Sequence, residues 1–148
     1  MRLRLSTVAR RIRSVPMTDI AAGVGAGRTV LGAVFLADPV LAVRVIGLDS
    51  GTARRVSWLS RMAAIRDIGL GGGTLVTALR GRSAGRVGSE SALWLLAGAV
   101  SDAVDATVIG RAAHQRRLDP ARGYLGSALA AGAAAVGVIA AAQAVRRK

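Results

Sequence analysis

The sequence predicts an all-α fold, an integral membrane four-helix bundle preceded by a basic amphipathic interfacial helix. Of its 148 residues 52% are hydrophobic and 19 are glycine, with a mean hydropathy of +0.44, too apolar for an ordinary soluble domain. Only 3% are aromatic, so the apolar mass is Ala, Val, Leu and Gly, which suits helices in close backbone contact within lipid. The apolar stretches are separated by Arg-rich segments, the pattern of spans and their flanks.

Residues 1–16, MRLRLSTVARRIRSVP, set Leu5, Val8, Ile12 and Val15 on one helical face and Arg4, Arg10, Arg11 and Arg13 on the rest. This predicts a retained helix on the cytoplasmic leaflet, ended by Pro16. A signal peptide fits less well, because the apolar run that follows is interrupted at Arg28 and has no clear small-x-small cleavage site. The remaining chain, 17–148, is expected to form one transmembrane domain.

The first span is expected at 19–37, with Thr18 or Asp19 capping its start and Asp38-Pro39 breaking its end. Val40 to Leu48 is too short to cross a bilayer that needs about 20 apolar residues, and reads as an interfacial or re-entrant piece leading into a turn at Asp49-Ser50-Gly51. The second span is expected at 57–79, where Trp58 suits an interface and GLGGGT from Gly69 to Thr74 allows close helix contact. After the Arg-, Ser- and Gly-rich loop from Gly81 to Ser89, a third span is set at 90–110. The fourth, at 124–145, is uncharged and stops at Arg146, Arg147 and Lys148. Its Gly- and Ala-rich surface offers a face for homo-oligomer formation or for docking in a larger membrane complex.

With four spans, one side carries Arg2, Arg4, Arg10, Arg11, Arg13, Arg80, Arg82, Arg86, Arg146, Arg147 and Lys148, eleven cations. The other carries seven, Arg44, Arg54, Arg55, Arg111, Arg116, Arg117 and Arg122. The positive-inside rule then predicts a multi-pass protein of the cell (inner or plasma) membrane with both termini cytoplasmic. The formal charge of +13 is spread between the apolar runs instead of forming a stripe among aromatics, which points to anionic lipid headgroups and away from nucleic acid. Twenty of the 21 basic residues are Arg, a bias associated with GC-rich, actinobacterial genomes. No cysteine is present, which excludes disulfides, thiolate metal sites and a Cys nucleophile.

Six ionisable residues fall within the expected spans: Arg28, Arg61, Arg66, Asp67, Asp102 and Asp105. Their charges cancel, and an unpaired charge near a helix centre costs at least about 2.5 kcal/mol, so they are expected to form one intramembrane charge network. Counted from the outer span ends, Arg28, Arg66, Asp67 and Asp102 lie about 13 Å deep and Arg61 and Asp105 about 7 Å deep. Two layers follow: Arg28 with Asp67 or Asp102 and Arg66 with the remaining carboxylate, above a pair of Arg61 and Asp105. Adjacent Arg66 and Asp67 diverge by about 100° and should face different neighbours. Helix-packing glycines are expected at Gly25, Gly32, Gly69 and Gly73, with Gly25 and Gly32 leaving room for the Arg28 guanidinium.

Other chemistry fits poorly. Ser101 to Arg111 shares two Asp three apart with phospholipid synthases of the CDP-alcohol phosphotransferase type, but position 106 is Ala where that motif has Gly, and the downstream acidic motif is missing. No metal site or cofactor is therefore expected. The glycine runs follow no strand and precede no Gly-Lys-Ser/Thr, which removes the phosphate-loop readings. His114, the one histidine, falls in a polar loop with no partner pair for a hydrolase triad, so no catalytic residue is assigned. Trp58, Trp94 and Tyr124 lie near span ends as interface anchors.

The segment RMAAIRDIGLGGGTL from Arg61 to Leu75, followed by Asp102-x-x-Asp105, resembles that of small four-helix actinobacterial membrane proteins of unknown function, themselves distantly similar to DoxX-like proteins. The resemblance implies an architecture and no reaction or ligand. The sequence thus points to a structural or accessory membrane subunit, with proton- or ion-coupled solute transport through Asp67, Asp102 and Asp105 as the alternative.

Overall fold

A computed structural model of the chain describes residues 16–83 and 89–146. Five helices account for nearly all of them: α1 (Met17–Ala37), α2 (Pro39–Val45), α3 (Ser50–Ser83), α4 (Ser89–His114) and α5 (Pro120–Arg146). The amphipathic segment expected at 1–15 lies outside the described residues.

Local chemistry sets the helix ends. The Pro16 carbonyl accepts from the Asp19 and Ile20 N–H groups, so α1 starts before the expected Thr18 or Asp19 cap. Asp19 sits within the first turn and instead accepts a 2.8 Å hydrogen bond from Arg82 Nε of α3. Asp38, which precedes Pro39, is held out of the helical region (φ −128°, ψ 82°), as residues before proline generally are. Its carboxylate accepts from Leu41 N–H at 2.9 Å, so the residue that ends α1 also caps α2. The chain then turns at Gly47, whose φ of +103° suits a residue without a Cβ.

The region around Asp49 differs from the expected turn. Asp49 accepts hydrogen bonds from the N–H groups of Gly51 (2.9 Å) and Thr52 (3.0 Å), the geometry of a helix N-cap. Hydrogen bonds from the Thr52 side chain and backbone hold its carboxyl below the usual carboxylate range. The second long helix therefore begins at Ser50, seven residues before the expected span, and its 34 residues extend about 51 Å at helical rise.

Four long helices alternate in direction. α1 lies antiparallel along α3, with Gly25 opposite Gly71 and Leu75, and Gly32 opposite Ala64 and Ile68. α5 lies antiparallel along α4, with Gly137 against Leu95 and Ala99, and Gly110 against Ser127. α3 joins the two pairs where Gly73 packs on the Trp94 ring, while α1 and α5 meet more sparingly. Alanines from all four helices, among them Ala21, Ala78, Ala92 and Ala141, form a buried core with Leu95 at one end. At the other end the Gly47 carbonyl accepts from Asp119 N–H at 3.0 Å, tying the link before α3 to the link before α5.

The large apolar side chains point outward. Val30, Met62, Leu93, Val100, Leu129 and many others are exposed around the whole girth, the inverse of a soluble domain. Among the described residues three helices are long and apolar enough to cross a membrane, at Thr18–Ala37, Ser89–His114 and Pro120–Val145. α3 falls outside that set, since even between Arg61 and Arg80 it carries Arg66, Asp67 and four glycines that lower its mean hydropathy.

Candidate functional site

The charged residues of α1, α3 and α4 converge beside the helix centres. Asp67 shares the buried face of α3 with Ser60, Ala64, Gly71 and Thr74, a spacing of three and four residues that aims it at α1 and α4. Asp102 and Asp105, three apart on α4, share a face directed at α3 and α1. Arg28 of α1 projects its guanidinium between Asp67 and Asp102. Its Nη2 contacts Asp102 Oδ1, and its Nε lies 3.5 Å from Asp67 Oδ1. Arg66 binds Asp105 through two bonds, Nη2 to Oδ2 at 2.7 Å and Nη1 to Oδ1 at 3.3 Å, and its Nη2 is 3.4 Å from Asp67. A continuous chain results in the order Asp102, Arg28, Asp67, Arg66, Asp105.

Burial is graded along this chain. The side chains of Arg28 and Asp102 are each 15% exposed and Asp67 is 16% exposed, whereas Arg66 and Asp105 are both 36% exposed. Removing Arg28, Asp67 and Asp102 from water is costly, and mutual attraction offsets that cost only because each carboxylate faces a guanidinium. The Arg66 Nε is buried without an acceptor among the described residues, as are the hydroxyls of Ser91 and Ser101.

The connectivity departs from the expected two layers. Asp105 pairs with Arg66, not Arg61, and Arg61 makes no ion pair among the described residues. Helix rotation explains the difference. Arg61 lies five residues before Arg66, about 140° around α3, so the two side chains leave the helix on different faces. The Arg61 side chain is exposed. Arg66 and Asp67 do face different helices, but the long Arg66 side chain also folds back onto its neighbour.

The glycines need similar revision. A Cβ on Gly25 would lie 2.6 Å from Leu75 N and 2.7 Å from the Gly71 carbonyl oxygen. At Gly32 it would lie 2.8 Å from the Ala64 carbonyl oxygen, and at Gly73 2.5 Å from the Trp94 ring. Gly69, by contrast, faces open space. Room for the Arg28 guanidinium comes from Gly98 of α4, where any Cβ would collide with Arg28 Nη1, and not from Gly25 or Gly32, which serve the α1–α3 contact. Gly98 is absent from the sequence-based expectation, and Gly71 enters it only as part of the GLGGGT run. Gly98 lies one turn before Asp102 and so beneath whatever that carboxylate binds, a signal present in the sequence.

A cavity of about 300 Å³ opens beside the charge chain. Arg28, Asp67 and Asp102 form its charged part, and Val24, Leu31, Trp94, Leu95 and Val136 are among its apolar walls. It lies where α1 and α5 separate. His114 ends α4 in a shallow hollow with Arg116 and Tyr124, remote from the charges. Compared with known protein families, characterised proteins and solved structures, the chain matches none.

Proposed function

We propose that the chain is a four-helix integral membrane protein of the cell membrane, a structural or accessory subunit whose Arg/Asp network holds a charged helix inside the bilayer. The carrying observation is that Arg28 of α1 reaches carboxylates on both α3 and α4. Between Arg61 and Arg80 the only charges on α3 are Arg66 and Asp67, and both are paired. Those intervening 18 residues cover about 27 Å, close to the roughly 30 Å of a hydrocarbon core. Pairing thus supplies what the composition of α3 lacks. On this reading both termini are cytoplasmic, by the bias of eleven cations against seven. Segment 1–16 is a basic amphipathic helix on anionic headgroups, and the chain belongs with the small four-helix, DoxX-like membrane proteins that it resembles.

Proton- or ion-coupled transport of a small solute remains the second reading, favoured by the cavity that reaches Asp67 and Asp102. Charge exchange separates the two. Arg66→Asp and Asp105→Arg singly should cut the yield of folded protein in detergent severalfold, and the double exchange should restore at least half of it. Wild-type protein in liposomes should show no proton flux. A double exchange no better than the singles would remove the structural reading, and a wild-type flux lost in a folded Asp102→Asn protein would establish the second.

A further inference from the structure

The cavity between α1 and α5 has an uncompensated charge. Arg66 makes two bonds to Asp105 and a 3.4 Å contact with Asp67, and neither Arg66 nor Asp105 lines the cavity. What faces the cavity is one cation, Arg28, and two anions, Asp67 and Asp102. α5 contributes Ala133, Val136 and Gly137 and no charge. The Oδ2 atoms of Asp67 and Asp102 accept no hydrogen bond among the described residues, because Arg28 engages only Oδ1 of each.

We propose that this cavity binds one lipophilic organic cation, its charged head beside the carboxylates of Asp67 and Asp102 that Arg28 leaves part-occupied and its apolar body against Trp94, Leu31 and Val136. Charge selects the sign of the occupant, since one added positive charge makes the polar end neutral in a setting of low dielectric. The walls select its character. Aliphatic side chains exclude a hydrated inorganic ion, and Trp94 offers the aromatic surface to which organic cations are drawn. A volume of about 300 Å³ suits a head group with one ring or a short chain. Entry is lateral, from the lipid, between α1 and α5. The inference rests on the membrane placement proposed above, which terminus topology tests independently.

The test uses the full chain in phosphatidylcholine nanodiscs, with benzyltrimethylammonium as probe and neopentylbenzene, which replaces the nitrogen by carbon, as its neutral isostere. Saturable binding of one cation per chain is expected, with neopentylbenzene and 150 mM sodium chloride each failing to displace it. Asp102→Asn and Asp67→Asn should each weaken binding at least tenfold. Absence of saturable binding, or equal competition by neopentylbenzene, overturns the proposal, and both are read on wild-type protein whatever the variants do. Displacement by sodium overturns it in favour of an inorganic ion. Folded variants that bind like wild type also overturn it.

Discussion

Replacing Arg28 by methionine should lower the unfolding free energy by about 3–5 kcal/mol, the range seen when one partner of a buried ion pair is removed. Methionine keeps the length and apolar stem of arginine, so packing changes little and the effect isolates the charge. The loss is large because Arg28 serves two carboxylates on different helices. Without it Asp102 has no cation, and Asp67 retains only the 3.4 Å contact with Arg66, which Asp105 already occupies. The double variant Arg28→Met with Asp102→Leu should be more stable than Arg28→Met alone by about 1–3 kcal/mol, since removing both partners leaves no orphaned charge. Reversible unfolding in mixed micelles, followed by circular dichroism, measures both. A double variant as unstable as the sum of the two singles would show that the charges are not coupled.

Gly25→Ala should destabilise the protein by about 1–3 kcal/mol while Gly69→Ala stays within about 0.5 kcal/mol of wild type, although both add one methyl to a glycine in a helix. The Gly25 Cβ would meet backbone atoms, Leu75 N at 2.6 Å and the Gly71 carbonyl oxygen at 2.7 Å, which cannot rotate aside. α1 and α3 would have to separate, and Arg28, one turn further along α1, would draw back from Asp67 and Asp102. At Gly69 nothing lies within 4 Å. The same unfolding assay compares them, and equal effects at the two positions would contradict the close α1–α3 contact.

Features governed by length and composition were legible in the sequence. The apolar runs of α1, α4 and α5 announce themselves, because about 20 predominantly apolar residues in a row have few other uses. That Arg28 would meet Asp67 or Asp102 could be argued from the cost of unpaired charges, but not that it would reach both. Features governed by how the helices rotate against one another could not be foreseen. Whether Asp105 meets Arg61 or Arg66 depends on which face of α3 is turned to α4, and the two arginines lie about 140° apart around α3. The early start of α3 turns on the Asp49 side chain choosing the Gly51 and Thr52 N–H groups, a choice open equally to a turn. Gly69 and Gly71 look alike in the sequence, yet two residues of helix rotation place one in open space and the other against Thr29. The cavity depends on the parting of α1 from α5, which no local pattern encodes.

The most direct measurement concerns whether α3 crosses the membrane. Because the chain has no cysteine, Ser6→Cys, Gln115→Cys and Lys148→Cys can each be labelled alone with an impermeant maleimide in vesicles of known orientation. Four crossings predict that positions 6 and 148 label from the cytoplasmic side and position 115 from the opposite side. Labelling of 6 and 148 from opposite sides would mean that only α1, α4 and α5 cross, and would contradict the claim that ion pairing carries α3 through the bilayer.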